Sequence, residues 1–153
     1  VSAITVTVAP FAKDVLREDL PSTGLEAKFS LPYCVAAMIH RGAVGLESFT
    51  QQAATDSAVL SLADRVTVTI DESLPYNSHR SIVNLTTTGG DTYTQTVDHP
   101  PGTKHNPLSS TELTEKFTEC VQWGNLSIDP TTLHGKMSKI ETQTISELTS
   151  LLK

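Results

Sequence analysis

Residues 29–42 read Phe29-Ser30-Leu31-Pro32-Tyr33-Cys34-Val35-Ala36-Ala37-Met38-Ile39-His40-Arg41-Gly42. Between Phe29 and Ile39 only Ser30 is simply polar, so a helix here is apolar on nearly every side and is expected inside the protein. Its limits are marked locally. Pro32 falls in the first turn after a Ser30 cap, where proline is tolerated, and Gly42 stands just past the last apolar residues, where helices end. A buried tyrosine near the start of such a helix needs a hydrogen-bond partner or a ligand, which makes Tyr33 a candidate functional residue.

Working outward from this helix, four segments alternate apolar and polar residues with a β-branched bias: Ala3–Val8, Val66–Ile70, Ile82–Thr87 and Thr92–Val97. Gly89-Gly90 between the last two predicts a tight hairpin and hence an antiparallel pair, and the many threonines suit strands with one solvated face. Phe11–Leu16 offers at most a turn of helix. Pro21, Ser22 and Gly24 then mark the stretch to Ala27 as a surface loop. Helices are expected at Leu46–Ala53, from Thr55 or Asp56 onward through Val59, Leu60 and Ala63, and from a Ser109–Glu112 capping box to Gly124 along Leu113, Phe117, Cys120 and Val121. Two more follow. One opens at Asp129-Pro130 with Leu133, Met137 and Ile140 inward, and the last is lined by Ile145, Leu148, Leu151 and Leu152. The order lacks regular β-α alternation. It predicts a single α+β domain over 1–153, with a four-stranded, largely antiparallel sheet covered by helices.

A chain of 153 residues is long enough to bury about 70% of its unfolded surface in one domain. Its net charge of −6 and scattered basic residues argue against binding a phosphate backbone. No apolar run approaches the ~20 residues of a membrane span, and no signal-peptide core is visible, so a cytoplasmic location is expected. Cys34 and Cys120 lack CxxC spacing and are read as core thiols. The five histidines show no metal-ligand spacing, and no nucleotide, metalloprotease or nucleophile-elbow motif is present. Gly89-Gly90 lies between strands rather than before a helix, so it reads as a turn and not a phosphate loop. Lys104 and His105 stand beside a helix N-terminus, an arrangement suited to a carboxylate, although a solvated loop explains them as well. Residue chemistry alone goes no further.

The series Lys28 to Ala36, then Gly42, then Thr87-Thr88-Gly89-Gly90-Asp91-Thr92-Tyr93, then Gly102 with Asn106-Pro107-Leu108-Ser109, Glu112-Leu113 and Lys116-Phe117, resembles the MmgE/PrpD family. That family includes 2-methylcitrate dehydratase, cis-aconitate decarboxylase and iminodisuccinate epimerase. The likeness is to the C-terminal, lid-like domain, with the larger N-terminal helical domain absent. The resemblance implies an enzyme that moves a proton next to a carboxylate of a small di- or tricarboxylic acid, without metal or organic cofactor, in a cleft between the two domains of a homodimeric protein. It also implies a substrate-contacting role for Tyr33, the tyrosine of the F-S-x-x-Y element, through hydrogen bonding or proton donation. Lys104 and His105 gain nothing from it, because the family pattern there is the glycine and Asn106-Pro107-Leu108-Ser109. The expected lyase or epimerase activity therefore belongs to a full-length parent, and the last two helices are expected to meet its helical domain or another subunit. The rival expectation is a free-standing small-molecule-binding or regulatory module without catalysis.

Overall fold

The computed structural model describes residues 1–142 and 144–150, Leu148 through its backbone alone. The chain divides into two compact units, Val1–Pro100 and Pro101–Lys153. The first is built on a sheet of β1 (Ala3–Val8), β2 (Val66–Ile70), β3 (Ser81–Thr86) and β4 (Thr92–Val97), in spatial order β2-β1-β3-β4. β1 runs parallel to β2 and antiparallel to β3, and β4 is antiparallel to β3. The α+β class and the mostly antiparallel sheet are as expected. The parallel pair requires a long crossover. Residues 9–65 supply it, carrying α1 (Ala12–Val15), α2 (Gly24–Phe29), α3 (Leu31–Arg41), a 3-10 turn at Leu46–Phe49, α4 (Gln51–Ala54) and α5 (Ser57–Ala63). At the β3–β4 hairpin Thr87 N–H donates to Asp91 O, and of the two glycines only Gly90 takes a positive φ, +92°.

α3 starts and stops where its sequence directs. Ser30 Oγ accepts from Tyr33 N–H, Pro32 lies in the first turn, and Gly42 closes the helix at φ +79°. It sits between two apolar clusters. On one side Leu31 and Val35 pack with Ile4, Val6 and Val8 of β1 and with Val66, Val68 and Ile70 of β2. On the other, Tyr33, Ala36 and Ala37 meet Ala27, Ala54, Val59 and Ala63 of α2, α4 and α5. Alanines dominate that second contact because helix axes approach closely only over small side chains.

Some expectations need correction. α3 is not buried all round: Met38 is 49% and Ile39 36% exposed, because the sheet and the short helices cover two of its sides and leave a third bare. The stretch before it is not all loop. α2 begins at Gly24 with a full capping box, Thr23 accepting from Glu26 N–H and Glu26 reaching back to Thr23 N–H. Gly24, taken as a loop marker, is instead required by packing: a Cβ there would stand 2.0 Å from Phe49 O.

In the second unit α6 (Ser110–Trp123) opens with the expected capping box and packs on α7 (Pro130–Met137) through buried Val121 and Leu133, with the Phe117 and His134 rings 5.3 Å apart. A 3-10 turn at Ile140–Thr142 and α8 (Ile145–Ser150) follow. Cys120 is exposed rather than a core thiol, while Cys34 is half-buried. Of the residues expected inward, Met137 is only partly covered, at 39% exposed, and Ile140 and Ile145 are largely exposed. A helix as short as α7 presents one narrow stripe to α6, and Leu133 occupies it. The expected apolar lining by Leu151 and Leu152, and by the Leu148 side chain, lies outside the described residues.

Candidate functional site

Tyr33, in the first turn of α3, is fully buried. Its hydroxyl points at the segment that crosses beneath α3 and reaches two backbone carbonyls, Ser48 O at 2.5 Å and Ala53 O at 3.0 Å. One proton serves two acceptors in a shared contact. Arg41, two turns further along the helix, donates through Nη1 to the Tyr33 oxygen at 3.5 Å. Its Nη2 donates to Ala53 O and to Asp56 Oδ2, both at 3.2 Å. Asp56 is in turn the N-cap of α5, accepting from Ala58 N–H. The cluster thus ties α3 to the 3-10 turn, α4 and α5. Among the described residues every buried side-chain nitrogen or oxygen has a partner.

The electrostatics follow from these contacts. Ala58 N–H and then the Arg41 guanidinium hold the Asp56 carboxyl below its ordinary value. Partial burial pulls the Arg41 guanidinium down, but hydrogen bonds to Asp56 and Tyr33 outweigh it and leave it raised, so the group is a cation at every working pH. Arg41 and Asp56 also line a polar cleft of about 470 Å³ with Thr50, Gln52, Ala53 and Ser57. This cleft is where the Tyr33 cluster meets solvent. The tyrosine hydroxyl itself is engaged by the unit's own backbone.

A second cavity on the same unit, about 700 Å³, runs between α3 and the β3–β4 half of the sheet. Cys34, Val35, Met38 and Ile39 form one wall, with Val83, Leu85 and Tyr93 along the other. Burial pushes the Cys34 thiol up, so it stays neutral and behaves as an apolar lining group. No charged residue lines this groove, which suits apolar contact and not a di- or tricarboxylate.

Lys104 and His105 lie in the second unit, at the tip of a tight turn closed by Gly102 N–H to Asn106 O at 2.8 Å, with both side chains exposed. The nearby N-terminus of α6 already has a carboxylate of its own. Glu112 accepts from Ser109 N–H at 2.8 Å and Ser109 Oγ at 2.7 Å, and these bonds lower its pKa. Among the described residues no group of three His, Cys, Asp or Glu is placed to hold a metal, and no helix is long and apolar enough to cross a membrane.

Comparison with known proteins fits this architecture. A scan against family models matches residues 1–125 to the MmgE/PrpD C-terminal domain. The chain belongs to the MmgE/PrpD family. The match takes in all of the first unit, with Tyr33, Arg41 and Asp56, and in the second unit the Lys104–His105 turn and α6. A search of curated proteins returns no match. Reading the sequence missed Arg41 and Asp56 as partners of Tyr33. Arg41 sits at the end of an apolar helix and Asp56 in a capping position, and nothing local links residues fifteen apart.

Proposed function

We propose that this MmgE/PrpD C-terminal domain forms one wall of an inter-domain active site in a lyase or epimerase acting on small di- or tricarboxylic acids. The observation that carries the reading is the family match over residues 1–125. The chemistry is proton transfer at the carbon next to a carboxylate, which needs a base, a proton donor and cations to hold the charge that builds on the acid. The chain's own residues bear on how that work is divided. Arg41 already serves Asp56, Ala53 and Tyr33, and the large groove of the first unit carries no cation. The base and most of the cations are therefore assigned to the helical domain of the parent protein.

Tyr33 enters this reading in two ways with different consequences. As a substrate contact, its hydroxyl must leave Ser48 O and Ala53 O. As a positioning residue, it keeps them and holds the 46–56 segment, with Asp56 at its end, against Arg41 of α3 at the edge of the polar cleft. The buried geometry favours positioning.

The test is an assay of the 153-residue chain beside a parent protein that joins it to a helical domain, using methylcitrate, aconitate and related acids. The chain alone is expected to show no turnover and the parent to show it, because separating groups that act as a unit removes most of the rate. Robust turnover by the chain alone overturns the division of labour. A parent inert toward every such acid overturns the function.

A further inference from the structure

Of the two larger cavities of the first unit described above, the groove along α3 carries no charged residue, whereas the polar cleft of about 470 Å³ is lined by Arg41 and Asp56. That volume suits a small ligand. The rest of the cleft wall is Thr50, Gln52, Ala53 and Ser57, so hydroxyl and amide groups surround the guanidinium, a lining fit for an oxygen-rich molecule.

Arg41 is held firmly from behind. The oxygen of the fully buried Tyr33 accepts from Nη1 at 3.5 Å, and Ala53 O accepts from Nη2 at 3.2 Å. One acceptor is fixed by burial and the other by the backbone, so the planar fork is set in place before any ligand arrives. Asp56 is held less firmly. Its Oδ2 accepts from Nη2 at 3.2 Å, longer than the about 2.7–2.9 Å of a strong charge-assisted bond, and 36% of its side chain is exposed. Its Oδ1 has a separate donor, Ala58 N–H at 2.9 Å, in the bond that caps α5. Moving Oδ2 from Arg41 to water therefore leaves the cap intact and leaves no buried group unpaired.

We propose that Arg41 binds a carboxylate of the small acid in this cleft, and that Asp56 occupies the guanidinium until the acid displaces it. For the class of ligand this rests on the function proposed above. The exchange swaps one carboxylate for another, so Arg41 is paired throughout. A free carboxylate approaches the fork with both oxygens, a two-point contact that Asp56, tethered through its capping oxygen, does not make. Gln52 and Ser57, which share the cleft wall, then meet the other oxygens of the acid. Competition from Asp56 keeps the affinity of this domain low.

Titration of the 153-residue chain with tricarballylate, a tricarboxylate with no hydroxyl to lose, followed by NMR at constant ionic strength, tests this. Wild type is expected to show saturable shifts at the Arg41 Nε–H and at the Thr50, Gln52 and Ser57 amides. Asp56→Asn keeps a cap acceptor but removes the competing charge, and is expected to bind about two- to fivefold more tightly, the range to which a weak ion pair corresponds. Arg41→Gln is expected to lose the shifts. Damage to the fold does not produce tighter binding, so Asp56→Asn decides the matter if Arg41→Gln does not fold. A wild type without saturable shifts at the cleft overturns the inference, as does an Asp56→Asn variant that binds no more tightly or a folded Arg41→Gln variant that binds like wild type. The parent protein separates this contact from the activity: turnover unchanged by Arg41→Gln overturns the inference alone, whereas an inert parent whose C-terminal chain still shows the Asp56→Asn gain overturns the proposed function and leaves the Arg41 contact standing.

Discussion

One row of side chains crosses the apolar face of the sheet in register: Val66, Ile4, Leu85 and Tyr93. Ile4 is 1% exposed, Val66 and Leu85 on either side of it are half-buried, and Tyr93 beyond Leu85 is mostly in solvent. The strands that carry them all alternate, and three of the four residues are strongly apolar, so the gradient does not come from the strands. It comes from what lies above them. α3 packs Leu31 and Val35 over β1, with β2 and β3 residues joining the cluster on either side, and leaves the outer part of the β3–β4 half as the floor of an open groove. The difference teaches that alternation identifies an apolar face and says nothing of how far it is covered.

The largest effect that sharpens this contrast is expected from truncation in the covered half. Ile4→Ala should cost about 2–5 kcal/mol in denaturant unfolding, the range for deleting buried aliphatic groups where neighbours cannot collapse into the space. Tyr93→Ala, in the same row but in the bare half, should stay within about 0.5 kcal/mol in dilute protein. Equal costs for the two would mean that the β3–β4 half is covered in solution and would break the comparison.

Of intermediate size is Tyr33→Phe, which removes a hydroxyl from the anchor that holds α3 against its other neighbours. Ser48 O then loses the donor shown for it, whereas Ala53 O keeps Arg41 Nη2, so the loss should be about 1–3 kcal/mol. In a catalytically competent parent the same variant separates the two roles of Tyr33. A fall in kcat with unchanged melting temperature assigns it to substrate, and a fall in melting temperature with unchanged kinetics assigns it to positioning.

The smallest effect concerns pH. The folded-state pKa of Asp56 lies below its ordinary value, so its contribution to stability is present above that value and is lost as pH falls through the folded pKa. Asp56→Asn keeps a cap acceptor but removes the titration. Its acid unfolding profile should be shallower than wild type, with no difference in slope near neutrality. Identical acid profiles would show that the part-buried Arg41–Asp56 contact contributes nothing measurable to holding α3 in place.

Much of this architecture was legible residue by residue. The α6 capping box and the β3–β4 hairpin are written within a few residues, so local chemistry was enough to place them. α2 is just as local, since Thr23 and Glu26 stand at capping-box spacing, but Gly24 reads as a loop residue because its reason, the close approach of Phe49 O, lies 25 residues away in the chain. The same distance problem hid the candidate site. Tyr33 was recognised as a residue needing a partner, but whether that partner was a ligand or a backbone carbonyl depended on residues 15 and 20 positions downstream.

By itself, then, the sequence determined the four strands, most of the helices, the family resemblance and the limits of α3 from Ser30 to Gly42, because capping, proline placement and left-handed glycine act over a single helical turn. Tertiary structure alone decided that α3 is bare along Met38 and Ile39, that the Tyr33 hydroxyl is spent on Ser48 and Ala53, and that β4 stands at an edge. Each of these depends on which segments lie side by side. Strand order and helix packing set that, and no local pattern of residue types encodes it.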